Sequence, residues 1–158
     1  MSPTSPMINN DAVVIDAGIL VSISSKEAAT YLTAENAFDF YAKNGWEFFA
    51  PNVVVSEVIF ALCHKLAAGV LTEVEHEKAV ESFLNLMKNI LTPDDETDLV
   101  ERAIEIRESY GCSRSSDGLY IALAEDLAKT RTVELMTFDK GMLNQAAKNA
   151  PMGTIKVL

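Results

Sequence analysis

The chain has 158 residues, 49% of them hydrophobic and 23% charged, with a formal net charge of −10. That length supports one domain with a real core, in a composition typical of soluble globular proteins. The acidic balance argues against a general nucleic-acid coat protein, which is basic as a rule, and no apolar run nears the roughly 20 residues of a membrane span.

Residues 1–10 read as a disordered tail, without the basic and apolar regions of a signal peptide. Residues 11–158 read as a single domain. The apolar, β-branched run 12–16 predicts a buried strand ending at Asp16. A short helix follows over 18–24 and a second over 33–43, with Ala37, Phe40 and Tyr41 at helical spacing. Asn44-Gly45 is a helix stop, and 46–50 predicts the second strand.

Pro51 precedes a long apolar helix ending near Gly69. Leu71-Thr72 leads into another, with Val80, Phe83, Leu84 and Met87 as its apolar stripe. A short strand is expected over 89–91. Thr92-Pro93-Asp94-Asp95-Glu96 predicts a helix start, with a Thr cap, Pro in the first turn and acids facing the dipole. That helix is expected to reach Tyr110 and stop at Gly111. Ser115 or Ser116 caps the next, which ends near Lys129. A strand over 133–137, a helix over 140–148 and a strand over 154–157 complete the chain. Short apolar strands alternating with helices predict a three-layer α/β/α sandwich around a mostly parallel sheet of four or five strands.

Four acids sit where a solvated face would not place them. Asp16 ends an apolar strand, and Glu57 interrupts Val53-Val54-Val55-Ser56-Glu57-Val58-Ile59-Phe60. Asp117 opens a segment that turns apolar at once, and Asp139 follows the strand over 133–137. Asp117 alone is explained by the helix dipole. Glu57 resists that kind of explanation, because its helical neighbours Val53, Val54, Phe60 and Ala61 are apolar and point it at the core. Ligands of parallel sheets gather at the carboxyl ends of strands, where Asp16 and Asp139 are expected to share one crevice. Two carboxylates about 5 Å apart repel by roughly 3 kcal/mol at an effective dielectric near 20. Mg²⁺ or Mn²⁺ would relieve that repulsion, and carboxylate oxygens suit either ion.

Other motifs are weaker. His64 and His76 have no paired ligand spacing. Cys63 and Cys112 read as free thiols of a reducing compartment, which makes the cytoplasm the expected location. Neither a phosphate-binding glycine loop nor a nucleophile elbow is present. Thr137 is a candidate to hold Asp139 or a water. Arg114 and Lys140 are candidate phosphate contacts, with ordinary surface charge as the alternative.

At the four acids the chain resembles the PIN-domain family over nearly its whole length. The matching segments are Val13-Val14-Ile15-Asp16, Ser56-Glu57-Val58, Ser116-Asp117-Gly118-Leu119-Tyr120-Ile121-Ala122-Leu123-Ala124 and Thr137-Phe138-Asp139. The resemblance implies a Mg²⁺- or Mn²⁺-dependent endoribonuclease with Asp16, Glu57, Asp117 and Asp139 as catalytic metal ligands. The single-domain size is similar to VapC-like toxins of toxin–antitoxin pairs, which implies a homodimer restrained by a small antitoxin. The chain departs from the family where Ser or Thr often stands two residues after the first Asp; Gly18 is there instead. That departure and the acidic charge support an alternative, a catalytically inactive PIN-fold module that binds RNA or protein. A haloacid-dehalogenase-like phosphatase fits less, since it wants a second Asp where Gly18 stands.

Overall fold

Four apolar residues build the centre of the sheet. Strand β1 (Ala12–Ile15) is buried at every position, as a strand covered by helices on both faces must be. The computed structural model describes residues 10–109, 117–149 and 154–158. Nearly all of the tail expected over 1–10, the stop at Gly111, the Ser115/Ser116 cap, Cys112 and Arg114 lie outside them.

After β1 come α1 (Ala17–Ser25), α2 (Tyr31–Lys43), β2 (Glu47–Phe49), α3 (Val53–Ala67), α4 (Glu73–Met87) and β3 (Ile90–Leu91). Then follow α5 (Thr97–Ser109), α6 (Asp117–Leu127), β4 (Val133–Thr137), α7 (Lys140–Asn149) and β5 (Thr154–Val157). The five strands form one sheet in the order β3-β2-β1-β4-β5, and every pairing is parallel. Helices α1 to α4 pack among themselves and α5 to α7 among themselves, one group on each side of the sheet. This is the expected α/β/α sandwich. No helix among the described residues is long and apolar enough to cross a membrane.

Local signals set most boundaries. Helix α2 ends at Lys43, and Gly45 takes φ +75°, a left-handed conformation that glycine adopts without steric cost. Thr72 and Glu75 form a reciprocal capping box at the start of α4, satisfying two otherwise orphaned amides.

Three expectations are corrected. The helix expected from Thr92 begins at Thr97, because its intended first turn is taken up by other contacts. Asn52 donates its side-chain amide to the Pro93 carbonyl and its backbone N–H to the Glu96 carboxylate. Asp95 then accepts the backbone N–H of Thr97 at 2.9 Å and starts the helix. On α4 the buried positions are Ala79 and Phe83, while Leu84 is exposed. One residue is about 100° of helical turn, so Leu84 leaves the face that Phe83 fills. On α2, Tyr41 and Ala34 are buried and Phe40 is exposed. Phe40 instead lies edge-on to Tyr41 with the Lys156 ammonium over its ring.

Helices α5 and α6 approach closely at Gly118. A Cβ there would stand 2.8 Å from the carbonyl oxygen of Ala103 and 3.3 Å from Cγ of Arg107. At Gly18 a Cβ would meet nothing within 4 Å. The two glycines beside the acids therefore differ in kind, one required by packing and one not.

Candidate metal centre

The sheet order reverses between β1 and β4, since β2 and β3 extend to one side and β5 to the other. Such a switch point leaves a crevice at the carboxyl ends of the two strands. Asp16 follows β1 there, its backbone N–H bonded to the Met136 carbonyl at 3.0 Å. Thr137 ends β4, fully buried. Its hydroxyl donates to Oδ2 of Asp16 at 2.6 Å and accepts the backbone N–H of Asp139 at 2.9 Å. One hydroxyl thus ties the first acid to the fourth across 121 residues of sequence. Asp139 accepts the Gly141 N–H at 2.7 Å, which anchors its carboxylate at the first turn of α7.

Glu57 reaches the same crevice from α3. The core face of that helix is Val54, Val58 and Leu62, and Glu57 is half-buried on its flank. The expectation that Glu57 points into the core is therefore corrected. Spacing of four residues places Val54, Val58 and Leu62 on one line, and Glu57 falls beside it, facing the crevice. It accepts a 2.7 Å hydrogen bond from the Tyr120 hydroxyl. Tyr120 is fully buried on α6, so the bond joins the two helix layers over the end of the sheet. The same hydroxyl interacts with the Ala17 backbone and feels the charge of Asp16. Burial and the neighbouring Glu57 carboxylate push its ionisation well above the usual tyrosine range.

Asp117 opens α6, three residues before Tyr120 and on the same face. Its charge and that of Glu57 both act on Asp16. The Asp16 carboxyl is pushed up from 3.8 to about 6, first by burial. The charges of Asp117 and Glu57 add to the rise, while the Thr137 hydrogen bond and the Ala17 amide oppose it. Asp16 is thus a half-buried carboxylate with two like charges in range, an environment that favours a nearby cation.

Among the described residues, no three His, Cys, Asp or Glu side chains stand close enough together to hold a metal ion as placed. Each of three acids is instead turned to a donor: Asp16 to Thr137, Glu57 to Tyr120 and Asp139 to the Gly141 amide. The donor set still suits a hard cation, because every group is a carboxylate or hydroxyl oxygen. Lys140 is exposed at the start of α7. His64 flanks the crevice, and His76 lies by Cys63 at 3.9 Å on the outer surface. Tyr120 is the site residue that periodicity alone did not single out. Its signal was the three-residue spacing from Asp117, which puts both side chains on one helical face.

Thr137→Val tests the bridge, since it keeps the buried volume and removes the hydroxyl. The Asp139 amide and Asp16 both lose a partner, at an expected cost of about 1–3 kcal/mol in urea unfolding. A variant as stable as the parent would show that the bridge carries no weight.

A family model described as PIN domain matches residues 13–149. A chain of VapBC2 from Rickettsia felis, crystallised bound to a DNA fragment from their promoter, superposes with a TM-score of 0.62 at 13% identity. The match covers 92% of this chain and 98% of that one. PAE2754 from Pyrobaculum aerophilum superposes with a TM-score of 0.51 at 18% identity, over 98% of this chain and 88% of that one. At these identities the likeness concerns the fold. No curated protein matches the chain.

Proposed function

The chain belongs to the PIN-domain family, and from that premise we propose that it is a divalent-metal-dependent endoribonuclease, the toxin of a toxin–antitoxin pair. One observation carries the reading: Asp16 stands at the sheet's switch point, and the Thr137 hydroxyl ties its carboxylate to the backbone amide of Asp139. A carboxylate so placed costs the fold stability, and carboxylates perturbed in this way cluster at functional sites.

Asp16 and Asp139 are the proposed direct holders of Mg²⁺ or Mn²⁺, with Glu57 and Asp117 acting through water. Bound there, the cation supplies a water ionised near neutral pH and a counter-charge for the phosphodiester. The chain's own groups do the positioning. Thr137 orients Asp16 and seats the Asp139 amide, and Tyr120 orients Glu57. Lys140 and Arg114 are the proposed phosphate contacts. A homodimer, a small antitoxin partner and a cytoplasmic setting, which the family resemblance implies, complete the reading.

The direct experiment incubates RNA with the protein and Mg²⁺ or Mn²⁺, and repeats it with EDTA. Cleavage is expected with metal and absent with chelator. Calorimetric titration with Mn²⁺ separates the rival, an inactive binding module favoured by Gly18 and by the net charge of −10. Such a module takes up no Mn²⁺ through its carboxylates.

Gly18 can be examined on its own. Its Cβ position is open, so Gly18→Ser adds a hydroxyl near the acids without a clash. The substitution is expected to stabilise α1 by roughly 0.5 kcal/mol and to tighten Mn²⁺ binding by about 10-fold, the scale of an outer-shell partner. Unchanged Mn²⁺ affinity would show that the missing hydroxyl is irrelevant.

A further inference from the structure

A groove of about 810 Å³ opens beside the acids, between α1 and α3. Gly18 and Glu57 belong to its wall, and so do the rings of Phe60, His64 and Phe138. Phe60 is 74% exposed, more than any other large hydrophobic side chain among the described residues. Its ring lies within 14° of parallel to His64, with centroids 6.4 Å apart. Lys65, the lysine of this wall, is engaged in an ion pair with Glu27. An exposed phenylalanine on a helix that has already buried Val54, Val58 and Leu62 is not needed for the core.

Resting on the nuclease reading, we propose that this groove holds an unpaired RNA base next to the scissile phosphodiester, stacked on Phe60 and His64 and bordered by Phe138. Continuity with the acids is the first argument. Glu57 lines the groove and faces the crevice, and Phe138 stands between Thr137 and Asp139 in sequence. Glu57 is thus the acid that the groove shares with the proposed metal centre, and Ala17 and Phe138, also in its wall, adjoin Asp16 and Asp139 in sequence.

Charge is the second argument. Nucleic-acid affinity usually comes from lysine and arginine on phosphates, yet this chain carries a net −10. Base stacking on aromatic rings needs no positive charge, and each stacked base is worth on the order of 10–100-fold in affinity. A base inside a duplex offers no free face to such a ring, so the proposal restricts the substrate to single-stranded or looped RNA.

The test uses the full chain and a labelled single-stranded RNA whose cleavage position has been mapped. Phe60→Ala is expected to lower kcat/KM by about 10–100-fold, mainly through KM, with the melting temperature unmoved because the ring is exposed. Phe60→Trp is expected to restore most of the loss. RNA with an abasic nucleotide at the cleavage position should lose the same factor with the parent protein and lose nothing more with Phe60→Ala. Equal rates for the parent and Phe60→Ala, or for abasic and intact RNA, would overturn the proposal. So would a variant that cleaves normally but no longer binds a peptide or a second copy. If the parent cuts no RNA, fluorescence anisotropy of a labelled single-stranded RNA oligonucleotide in EDTA decides the matter. Phe60-dependent binding then supports the groove while the nuclease reading fails, and binding indifferent to Phe60 overturns both.

Discussion

Asp16→Asn is expected to abolish RNA cleavage while making the metal-free protein more stable above pH 6. The loss of activity should exceed the roughly 10–100-fold that removal of an outer-shell partner costs. Asparagine can still accept the Thr137 hydroxyl, so the bridge to Asp139 survives and the loss reports the charge alone. The stability effect follows from the carboxyl's shift from 3.8 to about 6. A raised acid binds its proton more tightly in the folded state, so its contribution is fully present below pH 3.8 and is lost as pH rises through about 6. Above that range ionised Asp16 opposes folding, by at most about 3 kcal/mol. In EDTA, urea unfolding at pH 8 should therefore show the variant more stable by about 1–3 kcal/mol, with the gain gone at pH 4. Saturating Mn²⁺ should stabilise the parent and not the variant; at 100 times the dissociation constant the gain is about 2.7 kcal/mol. Equal cleavage by parent and variant would remove the metal-centre reading. A variant less stable at pH 8 would remove the account of Asp16 as a strained carboxylate.

Gly118→Ala should unfold more readily by about 1–3 kcal/mol, although alanine favours a helix by about 1 kcal/mol over glycine. The added methyl meets the Ala103 backbone at 2.8 Å, and a backbone carbonyl cannot rotate out of the way as a side chain does. Helices α5 and α6 must separate, and Asp117 and Tyr120 move with α6. Cleavage should therefore fall along with stability, whereas Gly18→Ala at the open position should be stabilising. Urea denaturation of the two variants side by side checks both signs. A neutral Gly118→Ala would mean that the helix contact yields at no cost.

Three of the four proposed acids stood out because they broke a local pattern, whereas Asp117 sits where the helix dipole favours an acid. Asp16 and Asp139 closed apolar strands, and Glu57 stood among apolar helical neighbours. The order of strands and helices was legible for the same reason, down to β4 and β5. Legibility failed where a residue's partner lies far along the chain. Thr92 to Glu96 carried every local mark of a helix start, yet Asn52, some 40 residues earlier, claims the Pro93 carbonyl and the Glu96 carboxylate. Phe40 and Leu84 had helical spacing, but spacing does not say how wide a face the sheet will cover.

The sequence by itself determined the kinds of elements, their order and the acidic character of the site, since periodicity and turn chemistry act within a few residues. Tertiary structure alone decided that β1 and β4 are neighbours, and so that Asp16 and Asp139 share the Thr137 hydroxyl. It also decided that Tyr120 meets Glu57, that Glu57 faces a crevice rather than the core, and that Gly118 but not Gly18 must lack a side chain. The physical reason is the range of the forces involved. Backbone preferences are local, whereas desolvation, charge repulsion and close packing depend on distances that exist only once the sheet has closed.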